Sequence, residues 1–354
     1  MSTDSLSLSL LSVFSLISFF VVLITKNYSE KIGNQVLLDQ DFEKPQAFHK
    51  EAVVRSGGLA SIISLIIFFV MYHLLFNKIL FDYIFLSLSI FFLGFLEDLK
   101  LRMEPKYRLL GMIIILTFFI IFFSINVVAI DLSFMSRLME NRIFSLLFVL
   151  LCFLFIINGS NLVDGFNGLL TIHLLIINII LFFINLNNGH EDFVFIITAQ
   201  IIVLTCFLLF NFPKATMFLG DSGSYLFGSL VAFNIINTNN LNPQISSFFF
   251  CIILFYLFFE VFFSFFRKIY MKKSPLKPDS EHLHMLSYNF LKNSQRFKDC
   301  NYLNSITVNI IYFCLIVPAI FFYDDGLICR YWFFSLLVIY FVFYYLLYSF
   351  EKKQ

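Results

Sequence analysis

Charge is scarce in this chain of 354 residues: Asp, Glu, Lys and Arg together make up 13%, against about 25% in a soluble globular protein. That shortage excludes a soluble domain whose whole surface faces water. The six cysteines include no C-x-x-C pair, and all but Cys300 lie within or beside apolar segments. This speaks against a zinc site or a disulfide framework. No Lys or Arg occurs in residues 1–5, whereas Lys26, Lys31 and Lys44 follow the first apolar run. A cleavable signal peptide carries its positive charge in front, so the run reads as an uncleaved span with its N-terminus outside. No internal repeat is visible, which counts against a transporter built from inverted repeats. No long linker divides the chain, so residues 1–354 read as a single membrane-embedded domain.

Apolar residues dominate what is there, at 60% of the chain with a mean hydropathy of +0.87. Phenylalanine, with 53 residues, exceeds what packing needs and reads as compositional bias. A helix needs about 20 apolar residues to cross the hydrocarbon core. Candidate spans are 6–25, 57–76, 79–96, 109–130, 143–160, 167–186, 193–211, 225–240, 245–266, 304–323 and 328–349, eleven in all. With the N-terminus outside, 20 of the 24 Lys and Arg fall in segments assigned to the cytoplasm, as the positive-inside rule requires. The expected fold is therefore an all-α, polytopic membrane protein of about 11 transmembrane helices, N-terminus outside and C-terminus cytoplasmic.

Polar clusters interrupt this pattern, and all of them fall on the face assigned to the cytoplasm. They are "KPQAFHKEAVVRSGG" (44–58), "EDLKLRMEPKYR" (97–108), "NGSNLVDGFNGL" (158–169), "NFPKATMFLGDSGS" (211–224) and "KPDSEHLHML" (277–286). Any one alone reads equally well as a solvated connection; five on one side point to a site. Asn158, Asn161, Asp164 and Asn167 recur every third residue, which on a helical turn makes a strip of amides with one carboxylate. Such a strip suits a hydrated divalent cation and the hydroxyl or amide groups of a sugar or base. Asp221 stands between glycines, and a turn of that kind presents N–H groups to phosphate while its Asp holds Mg²⁺. The G-D-S-G string also occurs in serine proteases, but no triad accompanies it. His282 and His284, two apart, face opposite sides of a helix, so both meet one ligand only from a loop. Glu260 lies inside the ninth span, where a carboxylate must be paired or functional, and Arg267 is its candidate partner.

Taken in order, these residues resemble the polyprenyl-phosphate N-acetylhexosamine-1-phosphate transferases (glycosyltransferase family 4), a superfamily that includes the phospho-MurNAc-pentapeptide transferases. The resemblance runs from Asp39, Pro45, His49, Arg55 and Gly57-Gly58 through Gly94-x-x-Glu97-Asp98 to Asn158-x-x-Asn161-x-x-Asp164-Gly165. It continues with Asn211-x-Pro213 and Phe218-Leu219-Gly220-Asp221-Ser222-Gly223-Ser224, and ends at Asp279-x-x-His282-Leu283-His284. The His-x-His form is similar to the branch that uses UDP-N-acetylhexosamine donors.

The resemblance implies transfer of a sugar-1-phosphate from a UDP-N-acetylhexosamine to undecaprenyl phosphate, releasing UMP and starting a cell-envelope or O-antigen-type glycan. It implies a bacterial cytoplasmic membrane location, a site facing the cytoplasm, and membrane lipid but no nucleic acid as partner; a homodimer is left open. The implied cofactor is Mg²⁺, with Mn²⁺ as a substitute, held by Asp221 and Asn161. Asp98 and Glu97 fall where the family has an Asp pair serving the lipid phosphate. Asp164, the third catalytic carboxylate, would hold nucleotide or sugar groups together with Asn167. Asn158 and His49 join the substrate-binding set, and Arg267, His282 and His284 would hold the pyrophosphate. Two residues depart from the family pattern, Glu97 and Glu260, each standing where Asp is usual. A secondary transporter with Glu260 and Asp98 as ion-coupling groups, or a catalytically weakened scaffold paralogue, is the competing reading.

Overall fold

The computed structural model describes residues 3–31, 37–39, 52–101, 103–275 and 279–353; His49 lies outside them. Among the described residues, fourteen helices and two short strands follow in the order α1 (Thr3–Lys31), β1 (Leu38–Asp39), β2 (Val53–Val54), α2 (Gly57–Phe76), α3 (Phe81–Asp98), α4 (Pro105–Phe122) and α5 (Ser133–Met139). Then come α6 (Arg142–Val163), α7 (Leu169–Asn187), α8 (Glu191–Asn211), α9 (Gly220–Leu241), α10 (Ser247–Ile253), α11 (Phe255–Tyr270), α12 (Leu283–Asn293), α13 (Cys300–Phe321) and α14 (Gly326–Lys352). The all-α, multi-pass architecture agrees with the hydropathy pattern. Among the described residues, eight helices are each long and apolar enough to cross a membrane, or nine if the bent pair α10–α11 counts as one span.

The expected count of eleven is not reached by that measure, because α3 and α9 fall short in composition rather than in length. α3 carries Asp82, Glu97 and Asp98, and α9 carries a run of Ser, Thr and Asn. The reason lies in where they pack. α9 is buried on nearly every side, from Gly220 to Asn239, so neighbouring helices rather than lipid are its solvent. Its polar side chains find partners there: Asn234 accepts from the Tyr83 hydroxyl at 2.9 Å and donates to Gln200 at 2.8 Å. Lower down, Asn185 donates to Thr238 at 2.9 Å. Satisfied inter-helix hydrogen bonds are what an apolar surrounding demands of buried amides.

Two other expectations change. The span expected at 245–266 is broken at Leu254 into α10 and α11, which meet at 73°. The Tyr312 hydroxyl from α13 donates at 2.6 Å to the Ile253 carbonyl at the break. The span expected at 109–130 ends at Phe122. Beyond it, Val128 N donates to Asn240 Oδ1 at 2.9 Å, and the Asn239 and Asn240 amides donate to the carbonyls of Ala129 (3.0 Å) and Asn126 (2.7 Å). The end of α9 thus competes for the backbone groups that a longer α4 would have used.

The polar end of the bundle is assembled by backbone pairing. β1 and β2 are antiparallel, with Leu38 opposite Val54 and Asp39 opposite Val53. Phe218 N donates to Val54 O at 2.8 Å, while Gly57 N and Gly58 N donate to Phe218 O and Leu219 O at 3.0 and 2.8 Å. The free amides of the first turn of α2 therefore anchor the segment that leads into α9. α3 closes on the same point: a Cβ on Gly94 would lie 2.6 Å from both Asp221 O and Ser222 Cα. Gly94→Ala should lower stability by about 2 kcal/mol through overpacking, despite the helix preference of Ala, worth about 1 kcal/mol. Thermal melting in detergent checks this, and an unchanged or raised melting point would contradict the close approach of α3 to α9.

Candidate active site

The Gly-Asp-Ser-Gly-Ser string forms the first turn of α9. Gly220 has φ +77°, a left-handed conformation that glycine adopts without steric cost. The turn directs two N–H groups at one side chain. Asp98, the last residue of α3, accepts from Asp221 N through Oδ1 (3.0 Å) and from Ser222 N through Oδ2 (2.9 Å), and the Ser222 hydroxyl donates to Oδ2 as well. Asp98 is 1% exposed. It is a helix N-terminal cap delivered from a neighbouring helix, in the position where the helix dipole favours an anion.

With the turn held in this way, the Asp221 carboxylate faces outward. Its Oδ2 meets Arg108 Nη1 at 3.0 Å and its Oδ1 accepts from the Asn161 amide at 3.0 Å. Asn161 donates also to Ser224 Oγ at 3.2 Å. Glu97 turns to the same side: its Oε1 lies 3.7 Å from Arg108 Nη1, and its Oε2 is buried without a partner. Arg108 reaches this point from the first turns of α4, which Pro105 opens at N1. Asp164 follows the last residue of α6 as its C-cap. Burial, and after it the nearby charge of Asp221, pushes the Asp164 carboxyl up to about 7, while Arg55 pulls it down. Arg55 itself is tied to Asp39 at 2.7 Å.

Three members of the expected set are used differently. The Asn158 amide donates back to Leu154 O in its own helix at 2.7 Å. Asn167 lies past the end of α6, where its amide donates to Pro213 O at 3.0 Å and its backbone N–H to Asn301 at 2.8 Å, fastening two loops. Arg267 does not pair with Glu260. It binds Asp279, the Glu281 carbonyl and the Tyr344 hydroxyl, and is 8% exposed.

The histidines form a second cluster. Glu260 Oε1 accepts from Leu283 N at 3.0 Å and lies 3.1 Å from His282 Nδ1, while Oε2 accepts from the Tyr340 hydroxyl at 2.7 Å. His284 Nδ1 lies 3.1 Å from the Tyr256 hydroxyl, and the two imidazoles stack with centroids 5.6 Å apart. Both histidines are buried, at 2% and 0% exposure. Phe166, in the turn after α6 and two residues past Asp164, lies with its ring 5.9 Å from that of His284.

Sequence reasoning missed Arg108, Tyr340 and Tyr344. Arg108 follows Asp98 by ten positions, and only the return of the chain into α4 brings it to Asp221. Mg²⁺ takes oxygen ligands, commonly one or two carboxylates completed by substrate phosphates and water. Asp221, Glu97 and Asn161 provide oxygens of that kind, and the unpartnered Glu97 Oε2 is an acceptor in want of a cation or donor. Among the described residues no three His, Cys, Asp or Glu side chains converge on one point. The residues therefore fit a hydrated ion shared with substrate, and not a closed protein site.

Fold and site together define a multi-pass membrane protein with paired acids and an arginine gathered where its most buried helix begins. Residues 80–239, from α3 into α9, match the sequence model of glycosyl transferase family 4, and that stretch contains Glu97, Asp98, Arg108, Asn161, Asp164 and Asp221. With 160 of its 354 residues in the match, the chain resembles glycosyl transferase family 4 in this central part. It is also 29% identical over 270 residues to an undecaprenyl-phosphate alpha-N-acetylglucosaminyl 1-phosphate transferase of Thermotoga maritima, covering 76% of this chain and 78% of that one.

The two neighbouring acids should separate by stability. Asp98→Ala strands three donors and should cost about 2 kcal/mol. Glu97→Gln, at a partly exposed position, should stay within about 0.5 kcal/mol of wild type. Thermal melting of the two variants side by side tests the assignment, and equal losses would refute it.

Proposed function

We propose that the protein transfers a sugar-1-phosphate from a UDP-N-acetylhexosamine, with N-acetylglucosamine as the default sugar, to undecaprenyl phosphate, releasing UMP. The site faces the cytoplasm of a bacterial inner membrane, with the N-terminus outside, and the product begins a cell-envelope glycan. The observation that carries this reading is the Asp221 carboxylate, turned outward at the start of α9 between Arg108 and Asn161 with Glu97 beside it. The relatedness to family 4 and to the Thermotoga maritima transferase supports the same chemistry.

A phosphomonoester is largely dianionic near neutral pH, since its second pKa is about 6. The lipid phosphate needs no strong base; the difficulty is bringing two anions together. One of its oxygens forms a bond to the β-phosphorus of the nucleotide sugar, and the bond from that phosphorus to the oxygen bridging to the α-phosphate breaks, so UMP leaves with the electron pair. Arg108 screens the approaching charges. Asn161 fixes the rotation of Asp221, and Asp98 holds the turn that presents it. Asp221, Glu97 and Asn161 would hold Mg²⁺, whose contribution is to neutralise charge on the diphosphate. Glu260 orients His282 by fixing its Nδ1 side and caps α12, so the histidine loop is supported at its base.

Purified protein supplied with UDP-N-acetylglucosamine, undecaprenyl phosphate and Mg²⁺ should release UMP, and chelation of the metal should stop it. Asp221→Asn should lower the rate at least about 100-fold. Undiminished release in Asp221→Asn would overturn the role given to that carboxylate. Absence of UMP with every UDP-N-acetylhexosamine would overturn the reaction.

A further inference from the structure

We propose that Arg108 is a built-in counter-cation that occupies the metal-binding carboxylates of the substrate-free protein, so that a divalent cation binds tightly only with a diphosphate. The inference rests on the reading of Asp221 as a metal-binding carboxylate and adds how access to it is regulated. Arg108 Nη1 lies 3.0 Å from Asp221 Oδ2 and 3.7 Å from Glu97 Oε1, bridging the two carboxylates that the ion would use. The other Asp221 oxygen already accepts from Asn161. A doubly charged ion arriving at Asp221 therefore meets a fixed positive charge at contact distance and must displace it or bear the repulsion.

The chemistry of the guanidinium makes this a gate and not merely a neighbour. A lysine or histidine in the same place can clear the site by losing its proton, whereas an arginine stays charged at every physiological pH. Arg108 must instead leave for another anion, and its planar fork matches phosphate oxygens in a bidentate manner. Arg55 is unsuited to the exchange because Asp39 already holds it at 2.7 Å. Lys106, two residues before Arg108, pairs with Glu104 at the surface at 2.7 Å. Cation and diphosphate thus bind as coupled ligands: each makes room for the other, and the coupling is reciprocal. Glu97 Oε2, buried and unpartnered while Arg108 bridges the site, is the acceptor that the exchange would satisfy.

The test uses the full chain in detergent and reads metal affinity without turnover. Manganese binding is followed by electron paramagnetic resonance in the absence of nucleotide, and UDP binding by calorimetry at saturating Mn²⁺. Arg108→Gln should bind Mn²⁺ at least about 5-fold more tightly than wild type and bind UDP about 10-fold more weakly. Arg108→Lys, which retains the charge, should bind Mn²⁺ within about 2-fold of wild type. Melting curves confirm that each variant is folded. Unchanged or weaker Mn²⁺ binding in Arg108→Gln, with binding lost in Asp221→Asn, overturns the counter-cation alone. Mn²⁺ binding retained in Asp221→Asn overturns the metal reading, and this proposal with it.

Discussion

The structure depends on one buried carboxylate. Asp98 receives two backbone amides and a hydroxyl from the first turn of α9, the helix against which α2, α3, α6 and α7 pack. A carboxylate at 1% exposure is tolerated only when its hydrogen-bonding capacity is filled, and the start of a helix offers amides in want of an acceptor. Each side resolves the other's problem. The consequence reaches the site directly, because the residue whose amide is bound is Asp221 itself. Fixing its backbone from beneath directs its side chain outward to Arg108 and Asn161. Asp98 therefore acts on the candidate chemistry through the geometry of the next acid, without being exposed to a ligand.

The same device recurs at the histidine cluster. Glu260, 1% exposed, accepts from the first backbone amide of α12 and from Tyr340 while meeting His282 at 3.1 Å. Arg267 fastens the preceding loop to α11 and α14 through Asp279 and Tyr344. In an apolar surrounding an irregular segment holds its shape only if protein groups satisfy its backbone. A glutamate suits this position: its length lets one carboxylate span a helix amide and an imidazole at the start of α12 and a phenol from α14. What looked in the sequence like an intramembrane ion pair with Arg267 is two separate anchors, each with its own partners.

The sequence makes the membrane class plain because apolar run length is a local property. The boundaries expected for α2 and α8 agree with the structure to within two residues. Where helix–helix contact decides the outcome, the pattern misleads. α9 reads as a weak span because Ser, Thr and Asn interrupt it, yet it is the most enclosed helix and those residues bond across to α3, α7 and α8. The resemblance pairs Asp221 with Asn161, and the two side chains meet at 3.0 Å, but it sets Glu97 apart from them, although Glu97 and Asp221 share Arg108. The motif strings overextend the row of asparagines: α6 stops at Val163, so Asn167 lies beyond the periodicity that grouped it with Asn158. Arg108 was illegible because its value comes from α4 folding back beside α3, and no periodicity encodes that return.

The difference between Glu97 and Asp98 follows from the space each has. Asp98 lies against Gly220, where even a single added Cβ would be 2.7 Å from its carboxylate oxygens. One more methylene at 98 would drive the carboxylate into the turn it caps, so the short acid is dictated by the packing of α3 on α9. Adjacent helical positions point about 100° apart, and Glu97 leaves the same backbone towards the open side, with its side chain 26% exposed. Nothing there forbids the longer acid, and its reach brings one oxygen near Arg108 while the other waits unpartnered. A matched pair of aspartates would serve the cap equally well but shorten the reach on the open side. The mixed pair thus divides the work by side-chain length: the short acid holds the helix that carries Asp221, and the long one attends to what approaches it.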